Sequence, residues 1–142
     1  MDALPSVISH VSLGVNDYPA AVAFYDKVLA TLGIRMIMEH PDARAYGKAF
    51  PEFWVQTPFD GGTATRGNGT HVAFVAESKE EVDAFHAAGL AAGATCDGPP
   101  GPRPEYGDPY YGGFLRDPEG HKIEATFWDQ ELAAALDEKS GA

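Results

Sequence analysis

HVSLGVNDYPAAVAFYDKVLATLG, residues 10–33, decides the fold, because residues 71–94, HVAFVAESKEEVDAFHAAGLAAGA, repeat its pattern 61 positions later. His10 falls on His71, Val11 on Val72, Ala23 on Ala84, Phe24 on Phe85, Leu29 on Leu90 and Ala30 on Ala91. Gly33 meets Gly93 after a slip of one residue. Each copy reads as a strand followed by a helix. In the first, residues 7–15 alternate as a strand, Asn16 or Asp17 can cap the helix, Pro19 helps to start it and Gly33 ends it. Ala21, Phe24, Tyr25, Val28 and Leu32 recur at three- and four-residue spacing, giving that helix one apolar stripe. In the second, residues 70–76 form the strand, Ser78 and Glu81 make a capping box, and Gly93 closes the helix.

Three strands should follow the first helix, over residues 34–39, 44–50 and 53–58, separated by HPDA and by Pro51. After the second helix, a short strand at 94–96 should lead into GPPGPRPEYGDP, read as a long loop because its proline and glycine density opposes regular structure. Residues 110–116 and 121–127 then flank DPEG, whose Asp, Pro and Gly occupy favoured type I turn positions, predicting a hairpin. DQELAAALDEK reads as a last helix capped by Asp129. The expected organisation is one domain over 1–142, with module one at about 5–59, module two at about 69–128 and the C-terminal helix at about 129–139.

Side chains alternate along a strand, so parity selects the residues that share a face. In GHKIEATFW, residues 120–128, Ile123, Ala125 and Phe127 form the apolar face, leaving Lys122, Glu124 and Thr126 opposite. On the first strand Val7, Val11, Leu13 and Val15 leave His10, Ser12 and Gly14 on the other side, and His71 lies away from Val72 and Phe74. Glu124 therefore joins the two histidines. Setting FWVQTPF over KIEATFW at a shift of 68 places Gln56 on Glu124 and nominates it as a fourth group. Two imidazoles and a carboxyl group suit a divalent cation such as zinc, nickel, iron or manganese. Coordination would also resolve the burial of an acid in an apolar strand, which otherwise costs several kcal/mol or forces protonation. The competing reading is a Glu124 paired with Lys122 or a turn amide, beside two ordinary core histidines. His121 has the wrong parity, His40 precedes a proline in a turn, and His86 sits on a helix among charges, so none is expected to bind metal.

Composition narrows the partners. The 142-residue chain carries 10 Lys plus Arg against 21 Asp plus Glu, a formal charge of −11, which disfavours nucleic acid and anionic lipid. A lone cysteine, Cys96, rules out an internal disulfide framework and is expected to be a small buried thiol. No apolar run approaches the ~20 residues of a membrane helix and the N-terminus lacks a basic signal region, so a cytoplasmic location is expected.

With these residues in view, HVSLGVNDYPAAVAFYDKVLATLG, NGTHVAFVAES and FLRDPEGHKIEAT resemble the vicinal oxygen chelate superfamily. That superfamily includes glyoxalase I, bleomycin resistance proteins, extradiol dioxygenases, methylmalonyl-CoA epimerase and fosfomycin resistance transferases. The resemblance implies an α+β fold in which two βαβββ modules form an open, curved, mixed-sheet barrel. It implies that His10, His71 and Glu124 are metal ligands, Glu124 also being catalytic. The implied activity is lyase or isomerase chemistry on a small substrate with vicinal oxygens, with the metal as Lewis acid. Tyr110, Tyr111, Trp54 and Ser12 are the expected substrate contacts. A homodimer is implied, and His10 can then meet His71 and Glu124 of another subunit. Alternatives are a metal-free binding protein of the bleomycin resistance type, a dioxygenase and a fosfomycin-type thiol transferase. Two departures stand out: the strand holding Phe53, Trp54, Val55 and Gln56 lacks the second glutamate of glyoxalase I, and Phe114 occupies the tyrosine position of the dioxygenases and fosfomycin transferases.

Overall fold

The structure, a computed structural model, describes residues 6–139. The elements run β1 (Val11–Gly14), α1 (Tyr18–Ala30), β2 (Arg35–His40), β3 (Ala43–Gly47) and β4 (Phe53–Gln56), then β5 (His71–Val75), α2 (Lys79–Ala91), β6 (Thr95–Pro102), β7 (Tyr110–Arg116) and β8 (Lys122–Trp128). A 3₁₀ turn spans Pro104–Tyr106, and α3 (Gln130–Lys139) ends the described chain. Two four-stranded sheets result, ordered β1-β4-β3-β2 and β5-β8-β7-β6. In each, the first and last strands of the module pair in parallel and the rest are antiparallel. The fold is α+β, two mixed sheets that do not close, as the family resemblance implies.

Local chemistry sets the helix ends. The Asp17 carboxyl group accepts the Ala20 N–H at 3.1 Å, with Pro19 in the first turn, and Gly33 takes a positive φ after α1. Ser78 caps α2 by accepting the Glu81 N–H at 3.1 Å. The Glu81 side chain reaches back to the Glu77 N–H, one residue before the cap. Both helices contribute to one buried cluster with the sheet faces beside them: Val28 and Leu29 of α1 and Val82 and Phe85 of α2 are buried with Leu13, Phe53, Val55, Phe74, Leu115 and Ile123. Each fully buried Val or Leu stabilises by roughly 1.5–3 kcal/mol. The Phe53 and Phe74 rings meet edge to face at 4.9 Å, so the two modules share one core.

A buried staple also joins them. Tyr25 of α1 donates its hydroxyl to Asp117 at 2.6 Å, and Asp117 lies 3.1 Å from His121 Nδ1 in the turn between β7 and β8. Burial opposes ionisation of Asp117, but its bonds from His121 and Tyr25 outweigh that and hold its pKa below the ordinary value. Burial likewise opposes the charged form of His121, and Asp117 outweighs it, raising the His121 pKa. Glu119 in the same turn accepts the Asn16 and Asp17 N–H groups at 2.7 and 2.9 Å, anchoring the start of α1.

Several expectations need correction. Strand β1 is four residues long, and Val7 and Ile8 are exposed outside it, because β4, bounded by Pro51 and Thr57–Pro58, offers only four partners. Strand β6 runs to Pro102 through GPPGP, where a loop was expected. It is an edge strand with two register shifts, and such positions tolerate missing N–H donors. Cys96 is exposed on this edge, its Sγ 3.2 Å from Nε2 of the buried His86, whose pKa burial lowers. His40 ends β2, and its ring stacks on Trp54.

Candidate functional site

The face of module two away from α2 carries the candidate chemistry. Register sets Phe114 opposite Glu124 on one side and Ala73 on the other, so Tyr110, Gly112 and Phe114 of β7, Glu124 and Thr126 of β8, and His71 of β5 share this face. Glu124 is 5% exposed. His71 Nε2 stands 2.7 Å from its Oε1. The Tyr110 hydroxyl donates to Oε2, and the Thr126 hydroxyl donates to the same oxygen at 2.7 Å. Burial first, then the bond to Glu124, raises the Tyr110 pKa, keeping its hydroxyl a donor. Lys122 turns instead toward Asp97, 3.6 Å away, and over the Phe114 ring. The expected alternative pairing of Glu124 with Lys122 is therefore not what the fold makes.

Module one has a different face. His10, Ser12, Trp54 and Gln56 line a hollow of about 640 Å³ with Ile8, Phe50 and Pro51. Its lining includes Glu52 and no lysine or arginine. The Trp54 indole lies nearly parallel to the His40 ring, 6.0 Å between centroids and 7° between planes. Phe50 reaches the hollow through a turn that only glycine permits at position 47: a Cβ there would stand 1.8 Å from the Phe50 carbonyl oxygen. His10 is exposed, with Ser9 Oγ 3.0 Å from its Nδ1.

The fold thus brings His71, Glu124 and Tyr110 together, and gathers His10, Ser12, Trp54 and Gln56 on the other module. Among the described residues no three His, Cys, Asp or Glu side chains stand together as a metal-holding group within one chain. Tyr111 faces α2 and donates to Asp83 at 2.7 Å, away from Glu124. Register also revises the repeat. Ser12 pairs with Trp54 and Gly14 with Gln56, whereas Ala73 pairs with Glu124 and Val75 with Thr126. Trp54 is therefore the counterpart of Glu124 and Gln56 that of Thr126, so the shift of 68 is two residues out of register. Phe59, which that shift set beside Phe127, is fully exposed beyond β4. Thr126 and Gly112 were assigned no role from sequence. Parity with Glu124 is the signal that finds Thr126.

The donor set at Glu124 fits a divalent cation in part. An imidazole nitrogen and a carboxyl oxygen converge on an open face with no lysine or arginine paired to the acid, two ligands of the type such ions take. A third must come from elsewhere.

Comparison with known proteins bears on the family. The profile of the Glyoxalase/Bleomycin resistance protein/Dioxygenase superfamily matches residues 7–125. A glyoxalase/bleomycin resistance protein from Albidiferax ferrireducens is 44% identical, with a TM-score of 0.80 over 86% of this chain and 99% of that one. At 22% identity, where likeness speaks for the fold alone, a lactoylglutathione lyase from Agrobacterium tumefaciens gives a TM-score of 0.62 over 87% of this chain and 94% of that one. A fosfomycin resistance protein from Listeria monocytogenes, also 22% identical, gives 0.64 over 90% and 98%. No functionally curated protein matches the chain. Duplicated modules, their register and these likenesses agree: the chain belongs to the glyoxalase/bleomycin resistance protein/dioxygenase superfamily.

Proposed function

We propose that the protein is a divalent-metal-dependent enzyme of the glyoxalase type, a lyase or isomerase acting on a small substrate with vicinal oxygens, and that it works as a homodimer. His71 and Glu124 of one copy and His10 of a second hold the cation, which is zinc, nickel, manganese or iron. The observation that carries this reading is the pairing of His71 Nε2 with the buried Glu124 on an open face, while His10 stands exposed on the opposite module. When bound, the cation supplies Lewis acidity to the substrate oxygens. Glu124 holds its carboxyl oxygens within reach of that position and is the residue assigned to proton transfer. The hollow over Trp54 receives the rest of the substrate, and its lining without lysine or arginine suits an uncharged group better than a phosphonate. Ser12 and Gln56 supply its hydrogen-bonding wall. Tyr111 plays no part.

Metal analysis of the purified protein tests this. About one divalent ion per chain is expected, and His71→Ala should lose both metal and activity. Stoichiometric retention by that variant defeats the proposal. One observation favours a second reading, metal-free sequestration of a ligand: the module-one hollow is apolar and aromatic without any contribution from Glu124. Tight binding of a planar ligand by a preparation that takes up no cation would select it.

A further inference from the structure

We propose that Tyr110 is the positioning residue for Glu124, and that position 112 is glycine so that Tyr110 can reach it; this rests on the reading that Glu124 and His71 hold a cation. The two carboxyl oxygens have different surroundings. Oε2 accepts two hydroxyl donors, Tyr110 and Thr126, while Oε1 faces His71 Nε2. A carboxyl group held in this way offers one oxygen to a cation and is hindered from rotating to offer both. Hydrogen-bonding partners of ligating groups commonly fix ligand orientation in this manner.

The route by which the hydroxyl arrives is unusual for a strand. Tyr110 pairs with Trp128, four residues from Glu124 along β8, roughly 13 Å at about 3.3 Å per residue. An upright side chain cannot span that gap. Tyr110 instead lies along the sheet over Gly112, the next residue on its face: a Cβ at 112 would stand 2.1 Å from the Tyr110 hydroxyl oxygen and 2.6 Å from Cζ. Those separations leave no room for any side chain at that position. Tyr106 and Trp128 hold the ring edge-on, with centroids 5.0 and 6.3 Å away. Phe114, directly opposite Glu124, has no hydroxyl to offer, so the donor comes from four pairs along the ladder. The glycine, the two flanking rings and the buried acceptor are separate features with one geometric outcome.

The test is titration of the full-length protein with Zn²⁺ and Mn²⁺, by calorimetry or chelator competition. Tyr110→Phe should weaken cation affinity by roughly 10- to 100-fold, and Gly112→Ala, which keeps the hydroxyl but denies it its place, by a similar factor. The double variant should be no weaker than the worse single one, because both act through one bond. The visible spectrum of bound Co²⁺, which reports coordination geometry, should change in Tyr110→Phe. Wild-type affinity in either single variant, or additive losses in the double, overturns the inference. Melting of the cation-free proteins identifies any variant that has lost its fold. Should Gly112→Ala fail that check, Thr126→Val removes the other donor to Oε2, and unchanged affinity in both Thr126→Val and Tyr110→Phe is then decisive. Equal binding by wild type and His71→Ala would instead sink the metal reading itself, leaving the two failures distinguishable.

Discussion

Modules one and two share their strand order and pairing, and differ almost completely on the faces they leave open. Residue for residue in register, His10 answers His71, Ser12 answers Ala73, Trp54 answers Glu124, Gln56 answers Thr126 and Ala45 answers Phe114. Only the histidine is kept. On the helix-covered faces, Leu13, Val55 and Phe53 correspond to Phe74, Ala125 and Ile123, all apolar and buried. The covered faces are constrained by close packing, so the duplication stays visible there. The open faces carry no such constraint and have diverged, one into an apolar hollow and the other into a buried acid ringed by donors.

The strongest way to break this arrangement is to part the modules. Asp117→Ala removes the acceptor of both Tyr25 and His121, leaving two buried polar groups without it, and should destabilise by roughly 3–5 kcal/mol in urea unfolding. A loss below about 1 kcal/mol would mean that the shared core alone joins the halves. The pair also sets a pH profile. Asp117, with its pKa lowered, contributes fully above the ordinary carboxyl value near 3.9, and that contribution is lost as pH falls through its folded pKa. His121, with its pKa raised, contributes fully below about 6.5, and that contribution is lost as pH rises through its folded pKa. Stability from the pair should therefore be flat between these limits. His121→Asn should abolish the alkaline decline, and a decline that persists in this variant assigns it to another group.

Next in size is loss of the proposed cation site. His10→Ala and His71→Ala should each abolish tight cation binding, although one belongs to the hollow and the other to the acid. Mixing the two variants after dissociation and reassociation distinguishes a site within one chain from one shared between copies. If shared, a mixed dimer pairs the intact His10 of one copy with the intact His71 of the other, and part of the binding returns. If not, none returns.

How far the sequence carried this reading follows from the same asymmetry. The repeat at residues 10–33 and 71–94, the capping residues Asp17 and Ser78, and the DPEG hairpin were legible because each rests on local chemistry or on core periodicity. Parity placed Glu124 and His71 on a common face for the same reason. Three features were not legible. Strand β6 escaped because edge position, which proline tolerates, depends on sheet order. Tyr110 could not be chosen over Tyr111, nor Gly112 noticed, without knowing that a ring lies along the strand. The counterpart of Glu124 was misread as Gln56 because the separation between matching strands grows from 61 to 70 residues across the module, β6 and its following turn being longer than β2 and its own.

That last correction yields the smallest expected effect, and for this reason a sharp one. If Gln56 answered Glu124, its removal would strip a ligand and weaken cation binding by orders of magnitude. Register makes it the counterpart of Thr126 and sets it on the wall of a hollow that contains no acid other than Glu52. Gln56→Ala should therefore leave cation affinity within about twofold of wild type, less than 0.5 kcal/mol on the ~1.4 kcal/mol per tenfold scale. It should still weaken capture of a ligand in the hollow, which its amide lines together with Trp54 and Ser12. A large fall in cation affinity would show that a second copy carries Gln56 to the metal along with His10, and the two open faces would then meet two residues further along the strand than their register within the chain suggests.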